Sequence, residues 1–176
     1  MQISKRAGFD PTIIVGTKLK EFSNSNCRVG KSRYLVIEAD EWQASFLNYW
    51  PKIIVLTNIE KEHLDYYKNL NNILKTYKEY IGRLPKDGVL VANGDDKNIQ
   101  KIISNFRFPI SDFRFSKSKD AQKLRKILKV PGEYNVSNAL AALAVARVLK
   151  IPDKISFKAL SEYKGSWRRF EIKKFK

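Results

Sequence analysis

Residues 57–67, TNIEKEHLDYY, hold the single histidine of this 176-residue chain, His63, with Glu60, Glu62 and Asp65 around it. They follow directly on the apolar run Ile53, Ile54, Val55 and Leu56. An imidazole among carboxylates at the end of a strand is a donor set for a divalent cation. A surface loop with a solvated histidine is the plain alternative. A second acidic run, Glu38-Ala39-Asp40-Glu41, closes another apolar stretch at residues 34–37. Open α/β sheets bind ligands beyond the carboxyl ends of their strands. If these two strands are neighbours, Glu38 and His63 approach each other at such an edge and form a metal site with phosphate oxygens.

Two further groups could contact a nucleotide. Asn135 and Asn138 lie three residues apart before an alanine-rich stretch, so at a helix start both amides share one face. An amide offers donor and acceptor together, which suits the edge of a base such as adenine; an N-cap opening a core helix is the alternative. Arg168 and Arg169 follow Gly165-Ser166-Trp167. Adjacent arginines point in different directions, so one can reach a phosphate while the other stays in solvent.

The elements that must position these groups alternate in type. Residues 34–37 and 53–56 are continuous apolar runs, the pattern of strands covered on both faces of a parallel sheet. The 15 residues between them suffice for a crossover connection. Helical spacing runs over 71–84 and stops at Pro85; a strand fits 88–92, a helix 96–105 and a strand 108–115. Helices are expected at 121–129, 137–149 and 155–163, and a short strand at 12–15. The expected fold class is α/β, a mainly parallel sheet flanked by helices.

The length fits one domain with a core of its own. No apolar run approaches the roughly 20 residues of a membrane span, and no signal-peptide core follows Met1, so the expected location is the cytoplasm with no membrane partner. Cys27 is the only cysteine and cannot form an internal disulfide. The formal charge of +16 invites a nucleic-acid reading. Its lysines are scattered singly or in pairs with no accompanying recognition motif, so no specific nucleic-acid partner is expected. Non-specific polyanion binding at low salt follows from the charge alone.

Taken together and in order, these pieces resemble the central domain of the Mur ligases, ATP-dependent ligases of peptidoglycan precursor synthesis. The family pattern EADESD-x-SFL is met by Glu38-Ala39-Asp40-Glu41-Trp42-Gln43-Ala44-Ser45-Phe46-Leu47. TNIE-x-DHLD is met by Thr57-Asn58-Ile59-Glu60-Lys61-Glu62-His63-Leu64-Asp65. G-x-HN-x-x-NALAA is met from Gly132 to Ala142, and G-x-x-RRF from Gly165 to Phe170. Gly8-Phe9-Asp10-Pro11-Thr12 and the pair Pro85 and Gly88 also fall where that family places them.

The resemblance implies that Glu38 and His63 hold Mg2+, that Asn135 and Asn138 contact the adenine of ATP, and that Arg169 reaches its phosphates. It implies catalytic roles for Glu38, His63 and Arg169 in joining L-alanine to UDP-N-acetylmuramate through an acyl phosphate. A ligase that recycles murein peptides is the alternative within the superfamily, and a non-catalytic basic binding module the alternative outside it. The chain departs from the pattern at Trp42 and Gln43, at Glu62, and at Tyr134. It also contains no Gly-rich phosphate loop ending in Gly-Lys-Thr, which family members carry upstream. The expectation is therefore a partial central ATP-binding domain over 1–165 and, over 166–176, the start of a hinge to a further ligase domain. The remaining Mur ligase domains would be its partners, and the chain alone would be inactive.

Overall fold

The structure, a computed structural model, describes residues 2–104, 106, 109–114 and 118–165. In chain order its elements are α1 (Gln2–Arg6), β1 (Thr12–Leu19), β2 (Ser25–Arg28), β3 (Leu35–Ile37), β4 (Ile53–Leu56), α2 (Leu64–Tyr67) and α3 (Leu70–Ile81). β5 (Val89–Asn93), α4 (Lys97–Ile103), β6 (Ile110–Phe113), α5 (Lys119–Ile127), α6 (Glu133–Val148) and α7 (Asp153–Ser161) follow. A kinked 3-10 segment, Trp42–Asn48, lies between β3 and β4.

The run 53–56 and the strand after α3 have core residues on both faces, whereas the run 34–37, expected to be covered on both faces, leaves Leu35 and Val36 exposed. β4, β5 and β6 form a parallel sheet in the order β4-β5-β6, with Ile54 opposite Leu90 and Val91 opposite Ser111. Ile54, Leu56, Leu90 and Ala92 point into one core with Ile73, Leu74 and Ile81 of α3 and Ile99 and Ile102 of α4. Val91 and Phe113, with the partly buried Ile53 and Val89, point the other way, into a second core with α5, α6 and α7. The period of two along each strand thus feeds two separate cores. α6 sits at the centre of the second one: Ala139, Leu140, Ala141, Leu143, Ala144 and Ala146 are all buried, and the small side chains let neighbours approach closely.

A second three-stranded sheet has the order β2-β1-β3. β1 and β3 are parallel, with Ile13 opposite Val36, whereas β1 and β2 are antiparallel. The sequence reading of a mainly parallel α/β fold therefore holds, with two corrections. The strands form two sheets among the described residues, and β2 adds an antiparallel edge. β2 is polar and mostly exposed, Ser25-Asn26-Cys27-Arg28, so no hydrophobic period marks it.

β3 pairs only with β1, and β4 only with β5, among the described residues. The bonds Thr12 N–H to Tyr34 O and Glu38 N–H to Ile14 O place the peptide groups of Leu35 and Ile37 on the opposite edge. Val89 N–H to Lys52 O does the same for Ile53 and Val55. Leu35, Val36 and Val55 are among the exposed large apolar residues. β3 and β4 thus each present an open edge with apolar side chains beside it.

The loop from β2 to β3 wraps closely over the start of β1. Lys31 N–H donates to the Asp10 carboxylate (2.9 Å), Gly30 N–H to Thr12 Oγ1 (3.1 Å) and Ser32 N–H to Asp10 O (2.9 Å). Arg28 pairs with the same carboxylate and, with Lys31 N–H, holds Asp10 below its ordinary pKa. A Cβ at Gly30 would lie 2.1 Å from Asp10 O and 2.4 Å from the Pro11 carbonyl carbon, both backbone. Gly30→Ala is expected to destabilise the fold by about 1–3 kcal/mol, read as a lower urea midpoint. An unchanged midpoint would refute this reading of the crossing.

Candidate active site

The loop after β4 is held by side chains from the next strand and helix. Asn93 Nδ2 donates to Thr57 O (2.9 Å) and Asn98 Nδ2 to Ile59 O (2.7 Å). Asp96 caps α4 through Ile99 N–H (2.8 Å), and its other oxygen accepts from Ile59 N–H (3.3 Å). The Ile59 side chain is buried at 1% exposure. Each bond contributes about 0.5–1.5 kcal/mol and together they fix a stretch with no regular structure of its own. His63 emerges from this anchored loop as the residue before α2, in the left-handed region at φ 52°. Its carbonyl accepts from the N–H groups of Tyr66 (3.0 Å) and Tyr67 (2.9 Å), which sets the backbone that aims the ring.

The acidic run after β3 turns sharply. Trp42 N–H donates to Asp40 Oδ1 (2.8 Å), and Gln43 and Ala44 take φ values of 49° and 56°. Phe46 then plugs into the first core beside Tyr77 and Tyr80. Non-glycine residues rarely adopt this backbone region, and it concentrates at functional sites. Here it carries the chain back so that Glu41 and Trp42 face His63. The Tyr67 hydroxyl donates to Glu41 O and ties the turn to α2.

The resulting cluster is Glu41, Glu62 and His63, one ligand atom from each lying within 4.8 Å of the others. His63 Nε2 is 3.3 Å from Glu41 Oε1. Six of the chain's 18 acidic residues fall between positions 38 and 65, against the two lysines Lys52 and Lys61. A chain of strong positive charge therefore has a locally acidic stretch here, and its Glu41 and Glu62 carboxylates meet His63, where they favour a cation. The neighbouring Tyr77 hydroxyl is pushed above its ordinary pKa by burial first, and then by the charges of Glu41 and other nearby groups.

Glu38, the sequence-predicted partner of His63, takes a different place. One of its carboxylate oxygens accepts from Gly16 N–H at 2.6 Å, within β1 and just beyond the residues that pair with β3. A Cβ at Gly16 would lie 3.3 Å from that oxygen, so the glycine leaves room for the approach. The structure brings His63 together with Glu41 and Glu62 and leaves Glu38 outside that group. Sequence reasoning missed Glu41 as the residue nearest the imidazole, and it missed Trp42. The signal for Glu41 was present, since it closes the same acidic run; what could not be read was the turn at Gln43 and Ala44.

Asn135 and Asn138 both lie in the first turns of α6. Neither is the N-cap, which is Gly132 at φ 99°. Asn135 is half-buried and donates through Nδ2 to Pro131 O (2.6 Å), while Asn138 is exposed one turn further on. The helix-cap alternative for these two asparagines is thereby removed. Arg168 and Arg169 lie outside the described residues.

Comparison with known proteins gives this arrangement a family. The model of the Mur ligase middle domain matches residues 17–146. The chain belongs to the Mur ligase family. A UDP-N-acetylmuramate–L-alanine ligase from Clostridium acetobutylicum is 41% identical over 185 residues, covering 93% of this chain and 40% of that protein. The ligase of the same name from Clostridium tetani is 38% identical, covering 97% and 42%. Among solved structures, the UDP-N-acetylmuramate–alanine ligase of Thermotoga maritima superposes with a TM-score of 0.78 at 24% identity, over 97% of this chain and 42% of that one. The UDP-N-acetylmuramate:L-alanyl-gamma-D-glutamyl-meso-diaminopimelate ligase of Neisseria meningitides gives 0.79 at 22% identity, over 95% and 61%. These two likenesses establish a shared Mur ligase fold. The chain spans about two fifths of the length of the curated relatives it matches.

Proposed function

We propose that this chain is the nucleotide- and cation-binding part of an ATP-dependent amide ligase that joins L-alanine to UDP-N-acetylmuramate. The observation that carries the reading is the meeting of Glu41, Glu62 and His63 at the carboxyl ends of β3 and β4, with Glu38 at the end of β3. The identity to ligases named for L-alanine supports that substrate pair over the murein-peptide alternative.

Carboxylates and an imidazole suit a divalent cation such as Mg2+. His63 would hold it together with Glu41 and Glu62, whose ligand atoms lie within 4.8 Å of its own, and Glu38 at the end of β3 is the further carboxylate that the family pattern offers as a ligand. A bound cation neutralises charge that builds on the phosphate oxygens during transfer. The chain's own residues do the positioning. Asn135 and Asn138, on one face of α6, would bind the edge of adenine, and Arg169 the phosphates. In the reaction a carboxylate oxygen of UDP-N-acetylmuramate bonds to the γ-phosphorus of ATP, and ADP leaves. The amino group of L-alanine then attacks the acyl carbon, phosphate departs with one carboxylate oxygen, and the amine gives up a proton.

The nucleotide part of this reading is tested by Asn138→Ala in a complete enzyme, the Clostridium acetobutylicum ligase with its matching segment exchanged for this chain. Loss of the base contact is expected to weaken ATP binding by about 1–3 kcal/mol, measured by calorimetry. Unchanged affinity would make the asparagines ordinary residues of a helix start.

A further inference from the structure

We infer that Trp42 is a positioning residue for His63, holding the imidazole in the orientation in which it and Glu41 receive a divalent cation. The inference rests on the cation-site reading above and goes beyond it. The indole and imidazole rings meet edge to face, with centroids 5.1 Å apart and planes at 70°. On another side of the imidazole, Glu41 Oε1 stands 3.3 Å from Nε2. The ring is therefore fixed by an aromatic edge and by a carboxylate. Both come from one short turn, whose shape is set by Trp42 N–H on Asp40 and by the positive φ of Gln43 and Ala44.

The backbone alone leaves His63 free to turn about its side-chain bonds, since α2 uses only its carbonyl. Trp42 removes that freedom. Trp42 is 38% exposed and belongs to none of the buried core clusters, and its ring contact is with His63. A ligand ring held in place before the cation arrives loses less freedom on binding, and partners that orient a ligand in this way typically change metal affinity by 10- to 100-fold.

The test uses the 176-residue chain and Mn2+ as the probe. Because His63 is the only histidine, its ring C–H resonances are assigned without ambiguity. In the unaltered chain, Mn2+ is expected to broaden these resonances at substoichiometric concentration, and the indole should displace them by its ring current. Trp42→Ala is expected to abolish the displacement and to raise the Mn2+ concentration for half-broadening about tenfold. Trp42→Phe, which restores an aromatic edge, should stay within about twofold of the unaltered chain. Urea midpoints compared across the three proteins separate lost positioning from lost fold. Equal Mn2+ response in the unaltered chain and in Trp42→Ala, with the fold intact, overturns the role of Trp42 alone. A His63 resonance that Mn2+ leaves sharp in the unaltered chain overturns the cation site itself, and this inference with it.

Discussion

His63→Ala in the exchanged ligase is expected to lower turnover by about 100-fold or more at saturating Mg2+, with the fold unchanged by circular dichroism. The size follows from what is lost. Removing one group that stabilises developing charge in a water-poor site typically costs 10²–10³ in kcat. His63 is also the only imidazole of this chain, so no second histidine of the same segment can replace it. The fold should survive because the anchors of this loop are the backbone of Thr57 and Ile59 and the buried Ile59 side chain, not the imidazole. Steady-state phosphate release across a Mg2+ titration is the measurement. Near-normal turnover at ordinary Mg2+ would remove His63 from the site.

The isolated 176-residue chain is expected to turn over at least about 100-fold more slowly than the exchanged ligase, to the point of no measurable phosphate release. Its sequence contains no complete Gly-x-x-x-x-Gly-Lys-Ser/Thr loop: Gly30-Lys31-Ser32 has the right ending, but Ser25 stands where the pattern needs its first glycine. Such a loop surrounds phosphates with backbone N–H donors and a lysine. The scattered lysines of a +16 chain attract ATP but do not orient it for in-line transfer. The open edges of β3 and β4 add a second cost. Peptide groups that a completed sheet would pair are left to solvent beside Leu35, Val36 and Val55, at the strands that carry the acidic residues. The assay supplies ATP, Mg2+, UDP-N-acetylmuramate and L-alanine. Substrate-dependent release by the isolated chain would contradict the expectation.

Much of the fold was legible because burial on both faces leaves a plain trace. The run 53–56 is a strand with the bounds its apolar residues suggest, and β5 falls within one residue of expectation. α3, α4 and α5 start after Asn69, Asp96 and Ser118, side chains that accept from the third N–H beyond them. α6 begins four residues before the alanine-rich stretch suggests, since Gly132 at positive φ opens it rather than an asparagine. What the sequence did not reveal lacks an apolar signature. β2 is polar, and α1 and α2 are too short to show a period. The site was half legible. His63 and the acidic run were visible as residue types at strand ends, but their pairing depends on the turn at Gln43 and Ala44. Gln43 and Ala44 adopt a backbone that neither residue type announces, and it is this turn that presents Glu41 and Trp42 to His63.

The central claim is that these residues belong to a site where a carboxylate is activated by phosphoryl transfer and then captured by an amine. It is tested most directly by labelling both carboxylate oxygens of UDP-N-acetylmuramate with 18O and supplying it to the exchanged ligase with ATP, Mg2+ and L-alanine. The expected result is one 18O in each released phosphate and one in the amide product, with release dependent on L-alanine and greatly reduced by His63→Ala. Phosphate that carries no label, or label transfer that His63→Ala leaves unchanged, would contradict the account.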